Sequence, residues 1–193
     1  MRLLSFAAPF CLAAGLALAG PAQAAEPENT LVIELSGGTV EIALRPDLAP
    51  QHVERLKTLA REGAYDNVAF HRVIDGFMAQ TGDVEFGDME DGFDPQRAGT
   101  GGSALPDLPA EFSDAPFERG TVGMARSQNP NSANSQFFIM FAPAPHLSGG
   151  YTVVGQVETG MEHIDQIKKG DQAANGAVAD PDRMVRVTVA ADE

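Results

Sequence analysis

The feature that most constrains the fold is an alternation of apolar and polar residues from Thr30 to Leu44, interrupted only at Gly37-Gly38. Side chains that alternate with a period of two lie on opposite faces of a β-strand, so each half of this stretch predicts a strand. Glycines between two such strands are typical of a tight turn. The stretch therefore predicts a β-hairpin with one buried face.

The rest of the chain consists mainly of short strand patterns, with two helical ones. Pro50 suits a first helical turn, apolar residues then recur on one helical face, and Gly63 ends the pattern. A second, shorter helical pattern runs from Met161 to Lys168. Six strand patterns lie at Ala69–Ile74, Phe77–Gly82, Thr121–Ala125, Gln136–Phe141, Thr152–Val157 and Met184–Val189. Many short strands and few helices predict a mainly β protein, a closed β-barrel capped by the helices.

Two segments carry no strand or helix pattern. Residues 84–111 are dense in Asp, Glu, Gly and Pro, and residues 170–183 in Gly, Asn, Asp and Pro. Both compositions predict surface loops. The first is long for a compact domain, and loops of that length tend to be functional.

Residues 1–24 combine a basic Arg2, an apolar run and a small-x-small triplet at 22–24, the composition of a cleavable secretory signal. A membrane anchor is the disfavoured alternative, because the apolar stretch is shorter than the roughly 20 residues that span a bilayer. We therefore expect export to the periplasm, cleavage after residue 24, one domain over 25–193 and no membrane attachment after cleavage.

The composition disfavours several other functions. With 27 Asp and Glu against 13 Lys and Arg, the formal net charge is −14, which disfavours binding to nucleic acid. We interpret the acidity as a solubility feature. The one cysteine, Cys11, lies in the predicted signal, so neither a disulfide nor a cysteine metal site is expected. His52, His146 and His163 show no metal-ligand spacing, so no metal is expected either.

The segment Phe70–Asp83, FHRVIDGFMAQTGD, places a cation, large apolar side chains and an amide in one strand-turn-strand unit. Arg72 precedes the turn at 75–76, and Phe77 and Gln80 follow it. If the unit folds back as a hairpin, these three side chains can reach one surface. The unit is therefore the main candidate for a functional site.

This segment resembles the signature F-H-R-V-I-x-G-F-M-x-Q-x-G-D of cyclophilin-type peptidyl-prolyl cis-trans isomerases at every specified position. A second block, from Met124 to Ile139, resembles the family's second signature, which ends in S-Q-F-F-I. Two blocks in the right order are far more specific than one short motif. The resemblance extends over nearly all of 25–193. It implies a closed eight-stranded antiparallel β-barrel capped by two α-helices, acting as a monomer without a cofactor.

The resemblance also implies catalysis of cis-trans isomerisation of X-Pro bonds in exported or unfolded proline-containing polypeptides. Amide resonance opposes this rotation with a barrier of roughly 18–20 kcal/mol. Arg72 suits the task, because a permanently charged guanidinium can donate to the prolyl nitrogen once the bond is twisted. Gln80, the second residue implied to be catalytic, would hold the substrate carbonyl or the arginine. The implied substrate-binding residues are Phe77, Met78, Ala125, Arg126, Gln136, Phe138, His146, Leu147 and Tyr151.

Two alternative functions agree less well with these residues. A non-catalytic proline-peptide binding module or chaperone would keep the pocket, but it would have no need of Arg72 and Gln80. A hydrolase built on His71 is disfavoured, because adjacent residues of a strand point to opposite faces. The sequence also has no Gly-x-Ser-x-Gly motif to expose a nucleophile. His71 is therefore expected to be structural.

Three positions differ from the better-known eukaryotic members of the family. His146 stands where those carry Trp, Tyr151 where they carry His, and the loop Arg126–Asn134 is one residue longer and begins with Arg rather than Asn. The run Met124–Gln128 is more similar to the bacterial branch. Because His146 offers less apolar surface than Trp, we expect weak binding of cyclosporin.

Overall fold

The computed structural model describes residues 26–193; the predicted signal at 1–24 lies outside the described residues. The strands are β1 (Thr30–Leu35), β2 (Gly38–Leu44), β3 (Arg72–Ile74), β4 (Met78–Thr81), β5 (Thr121–Met124), β6 (Phe137–Met140), β7 (Val153–Thr159) and β8 (Arg186–Val189). The helices are α1 (Pro50–Arg61) and α2 (Met161–Gln166). Short 3-10 turns lie at Pro27–Asn29, Pro145–Leu147, Gln172–Ala174 and Ala190–Asp192.

The eight strands form one sheet in the order β3-β4-β6-β5-β7-β2-β1-β8, and every neighbouring pair is antiparallel. The predicted mainly β fold with eight antiparallel strands and two helices is therefore confirmed. The first hairpin is present as well, but its two turn residues are Ser36 and Gly37, because Leu35 pairs directly with Gly38.

The predicted closed barrel is not found, since no ladder joins the edge strands β3 and β8 within residues 26–193. The sheet is instead a curled, open half-barrel. Loop residues occupy the outer edge of β3, where Val73 N donates to Gly176 O (2.8 Å). On the other edge, Val187 N donates to the Asp66 carboxylate (2.9 Å). Two isolated antiparallel bridges, Ala69–Arg183 and Arg72–Ala177, connect the β3 side of the sheet with the segment that leads into β8.

The sheet separates two apolar clusters, and β6 contributes to both. Phe137 and Ile139 pack into the main core, which also holds apolar residues from both helices. Phe138 and Met140 point the other way, into a second and smaller cluster. The pleat of one strand therefore builds the interior with alternate residues and the second face with the rest.

The N-terminus of α1 is capped by a residue distant in the sequence. Ala49 supplies no side-chain cap, and the Glu111 carboxylate instead accepts hydrogen bonds from the backbone N–H groups of Gln51 (3.1 Å) and His52 (3.2 Å). The buried His52 ring also contacts Glu111, with 2.7 Å between Nδ1 and Oε2. The predicted loop 84–111 is therefore fixed to the helix at its final residue.

The start of the same loop is organised by a buried carboxylate. Asp83 accepts hydrogen bonds from the backbone N–H groups of Glu85, Phe86, Gly99 (2.7 Å) and Gly101 (3.0 Å). These bonds draw two distant parts of the loop together. No helix within residues 26–193 is both long enough and apolar enough to cross a membrane.

Candidate active site

Three side chains of the site lie in one row across neighbouring strands. Arg72 of β3 pairs with Gln80 of β4, and Gln80 pairs with Phe138 of β6. Gly76 turns the chain between β3 and β4 with a positive φ of 69°, which favours glycine. The predicted hairpin is thus confirmed, and it brings Arg72, Phe77 and Gln80 to one cavity.

A chain of amides fixes the arginine from one side. Arg72 Nη1 donates to Gln80 Oε1 (3.1 Å), and Gln80 Nε2 donates to Gln136 Oε1 (2.9 Å). Gln136 Nε2 in turn donates to the carbonyl of Gly101 (2.8 Å). Each amide oxygen accepts and each amide nitrogen donates, so one orientation of both glutamines satisfies the whole chain.

A loop residue holds the arginine from the other side. Arg72 Nε donates to the carbonyl of Asn175 (3.0 Å), and Nη2 donates to its side-chain Oδ1 (3.1 Å). Three of the five guanidinium donors thus have partners in the described residues, leaving one hydrogen on each terminal nitrogen. Partial burial lowers the pKa of Arg72, but an arginine remains charged at neutral pH.

The sequence did not predict Asn175 as a residue of the site. Asn175 adopts φ 55° in the segment 170–183, which the sequence indicated only as a surface loop. The dipeptide Asn175-Gly176 is a turn signal, but no local sequence pattern predicts that this turn contacts Arg72.

The cavity beside the arginine has a volume of about 180 Å³. It is lined by Arg72, Phe77, Met78, Gln80, Ala125, Arg126, Phe138, Leu147 and Tyr151. Two of the residues that the resemblance implied do not line it. Gln136 is hydrogen-bonded to Gln80 and lines the adjoining second cavity, and the exposed His146 stacks on Phe77 with 6.1 Å between ring centroids.

An aromatic cluster forms the floor and one wall of the cavity. Phe138 stacks on the buried Phe117 (5.8 Å between centroids, 19° between planes), and Tyr151 meets Phe138 edge-on (5.7 Å, 87°). Gly123 makes room for this packing, since a Cβ there would lie 2.7 Å from both phenylalanine rings. Phe117 was not predicted because its segment has no periodic pattern. A glycine inside a predicted strand was the one available signal of a close approach.

A second, larger cavity of about 390 Å³ adjoins the first and shares Gln80, Ala125 and Arg126 with it. The loop 84–111 contributes part of its lining, including Thr100 and Gly101. The two cavities together form a continuous groove, with Arg126 at the junction.

His71 directly precedes β3 and is buried. It is 6% exposed, its ring is close to Gly99, and burial lowers its pKa. Among residues 26–193, no cluster of three or more His, Cys, Asp or Glu is placed to hold a metal ion.

The arrangement can bind a small apolar ring beside a fixed cation. The aromatic floor supplies contact area for the ring, and Arg72 supplies hydrogen-bond donors directed by partners on both sides. Gln80 lies next to the arginine and can contact the same ligand. Such a groove suits an extended peptide with one apolar ring-shaped residue.

Comparisons with known proteins agree with this geometry. The family model described as "Cyclophilin type peptidyl-prolyl cis-trans isomerase/CLD" matches residues 30–189. A "Probable peptidyl-prolyl cis-trans isomerase" of Brucella suis biovar 1 (strain 1330) is 66% identical over 171 residues, covering 89% of this chain and 87% of that protein. The chain therefore belongs to the cyclophilin family of peptidyl-prolyl cis-trans isomerases. The enzyme interpretation is supported over a non-catalytic binding module.

Solved structures of the family are similar in fold. The cyclophilin AquaCyp293 from Hirschia baltica has a TM-score of 0.73 and 25% identity, covering 88% of this chain and 76% of that chain. A Cryptosporidium parvum cyclophilin type isomerase, crystallised in the presence of the dipeptide Ala-Pro, has a TM-score of 0.69 and 25% identity. That match covers 83% of this chain and 98% of that chain.

Proposed function

We propose that this isomerase acts on X-Pro bonds of exported or unfolded polypeptides, with the proline ring in the 180 Å³ cavity and Arg72 as the catalytic residue. The observation that carries the proposal is the position of Arg72. It lies at an apolar cavity, is held by Gln80 and Asn175, and keeps donors free.

The chemistry follows from the electronic change during rotation. In the planar amide, the lone pair of the prolyl nitrogen is delocalised, so the nitrogen is a poor acceptor. In the twisted state the lone pair returns to nitrogen, and a free N–H of Arg72 can donate to it. An interaction made mainly in the transition state lowers the barrier without strengthening substrate binding equally. No covalent intermediate is needed.

The surrounding residues have separate tasks in this proposal. Phe77, Met78, Phe138 and Leu147 contact the proline ring and exclude water from it. The backbone of Ala125 and Arg126 holds the peptide extended along the groove. Gln80 orients Arg72 and stays close enough to contact the substrate carbonyl.

The site of action is also proposed. The composition of residues 1–24 supports export, cleavage after residue 24 and a periplasmic location. In this proposal residues 25–193 act as a monomer. The similarity of Met124–Gln128 to the bacterial branch supports the same assignment. Cell fractionation and mass spectrometry of the mature N-terminus test it; an uncleaved chain in the cytoplasmic fraction would contradict it.

The catalytic role of Arg72 is tested by NMR exchange on a blocked Ala-Pro peptide with wild type, Arg72→Lys and Arg72→Ala. We expect Arg72→Ala to lower kcat/KM by about 10²–10³-fold, the usual effect of removing one transition-state donor. Arg72→Lys should recover only part of the loss, since its ammonium lacks the planar fork. Circular dichroism confirms folding. A folded Arg72→Ala protein with wild-type turnover would overturn the mechanism.

A further inference from the structure

The two cavities of the groove differ in charge from the rest of the molecule. The chain carries a formal net charge of −14. The lining of both cavities, however, contains two cations, Arg72 and Arg126, and no Asp or Glu. The groove is therefore locally positive within an acidic protein, and Arg126 is the one of the two that lines both cavities.

Arg126 is fixed in place without being neutralised. Its Nε and Nη2 both donate to the carbonyl of Gly150 (3.2 and 2.7 Å), and Nη1 donates to the carbonyl of Ser127 (2.9 Å). The guanidinium carbon lies 4.4 Å from the centre of the Tyr151 ring. All three bonds go to neutral carbonyls, and no carboxylate oxygen of residues 26–193 lies within 4.0 Å of Arg126. Two donors and the full charge remain for a ligand.

We propose that Arg126 makes this isomerase prefer substrates with an acidic side chain within two residues of the proline. The inference rests on the proposed function, because it places the proline in the first cavity. A neighbouring residue then lies at the junction or in the second cavity, beside Arg126. A carboxylate there pairs with a half-buried guanidinium that folding has already ordered, so little side-chain entropy is lost on binding.

Three carboxylates of the loop region near the groove have hydrogen-bond partners of their own. Asp83 is buried behind Gly99 and Gly101 and accepts four backbone N–H bonds. Glu111 accepts from the N-terminus of α1 and from His52. Asp107 is exposed and accepts from Asn134 Nδ2 (3.0 Å) without itself lining either cavity. None of them stands between Arg126 and a bound peptide.

The test uses peptides with acetylated and amidated ends, so that no terminal charge reaches the groove. Glu, Gln or Lys is placed in turn at each of the two positions on either side of one proline, and kcat/KM is measured by NMR exchange. At low salt we expect one position at which Glu exceeds Gln by about three- to fivefold, with Lys below Gln. Raising the ionic strength should reduce this difference.

Variants separate the charge of Arg126 from its contacts. Arg126→Gln should abolish the Glu-over-Lys preference, and Arg126→Lys should retain part of it. Arg45→Gln is the matched control, because it removes one positive charge at an exposed ion pair with Asp47, outside both cavities. It should leave the preference unchanged.

Three outcomes would overturn the inference. One is equal kcat/KM for Glu and Lys at every position in wild type, which needs no variant. Another is a uniform loss on all peptides in Arg126→Gln with the preference intact, which would leave Arg126 as a support for Gly150 and Tyr151. The third is a loss of preference in Arg45→Gln. Inactivity of wild type on every peptide, including the neutral ones, would instead refute the proposed function.

Discussion

The two faces of β6 show how one strand serves two purposes. Phe137 and Ile139 are 0% exposed and belong to the core enclosed by the sheet and helices. Phe138, between them, faces the second cluster and the 180 Å³ cavity. Both faces are apolar, so composition does not distinguish them. The inner face is packed fully against other core side chains, whereas the outer face borders a cavity in which a bound ligand can pack against it.

The largest expected effect comes from truncating each phenylalanine in turn. Phe137→Ala should lower the free energy of unfolding by about 3–5 kcal/mol, because it leaves a cavity in a packed interior. Phe138→Ala should cost less stability, about 2–3 kcal/mol, because its ring already borders open space. It should lower kcat/KM at least about tenfold, through loss of contact with the proline ring. Denaturant unfolding and NMR exchange measure the two quantities.

The comparison fails if the two variants behave alike. Equal losses of stability together with equal losses of kcat/KM, measured on folded protein, would mean that the faces are not functionally distinct.

The next largest expected effect is a loss of stability when Glu111, the last residue of the loop 84–111, no longer caps α1. Glu111→Gln should lower stability by about 1–3 kcal/mol at pH 7, since it removes the charge that caps α1 and contacts His52. Desolvation raises the pKa of Glu111, but hydrogen bonds from His52 and Gln51 outweigh it, and the net shift is downward from 4.5. The stabilisation is therefore complete above pH 4.5 and is lost as the pH falls through the lower, folded-state pKa.

Unfolding curves at several pH values check this prediction. The gap between wild type and Glu111→Gln should close below pH 4.5. The exposed Glu158→Gln serves as the matched control and should show little difference at any pH. A gap that persists unchanged into acid would contradict the role of the ionised carboxylate.

The smallest effect concerns the rim of the groove. His146 is exposed and stacks on Phe77, outside the lining of the cavity. We expect His146→Trp to strengthen cyclosporin binding by about tenfold through added aromatic area, with little change in stability. Calorimetric titration measures the dissociation constants. Nanomolar binding by wild type would contradict the expected weak affinity.

Local sequence patterns predicted the individual strands and helices better than they predicted whether the sheet closes into a barrel. Alternation predicted the β1–β2 hairpin, helical spacing predicted α1, and the glycine turn placed Arg72 and Gln80 together. Closure into a barrel depends on how two distant edges meet. Here Gly176 and Asp66 occupy those edges first, and neither contact follows from a local pattern.

The residues of the site also differ in whether a local sequence pattern predicted them. Two short contiguous blocks of sequence carried the cation, its glutamine and most of the cavity lining. Phe117, Asn175 and Gly101 reach the site from loops without periodicity, so no spacing indicated them. The resemblance also implied His146 and Gln136 as substrate-binding residues; neither lines the 180 Å³ cavity, but Gln136 lines the adjoining 390 Å³ cavity.

The sequence by itself determined which segments form strands, which residues face which side and which family the chain resembles. All of these depend on the period of the side chains or on short contiguous motifs. The tertiary structure alone decided that the sheet stays open, that Asn175 holds Arg72, and that Arg126 stands without a carboxylate partner in the described chain. Those outcomes depend on contacts between residues tens of positions apart, which no local pattern records.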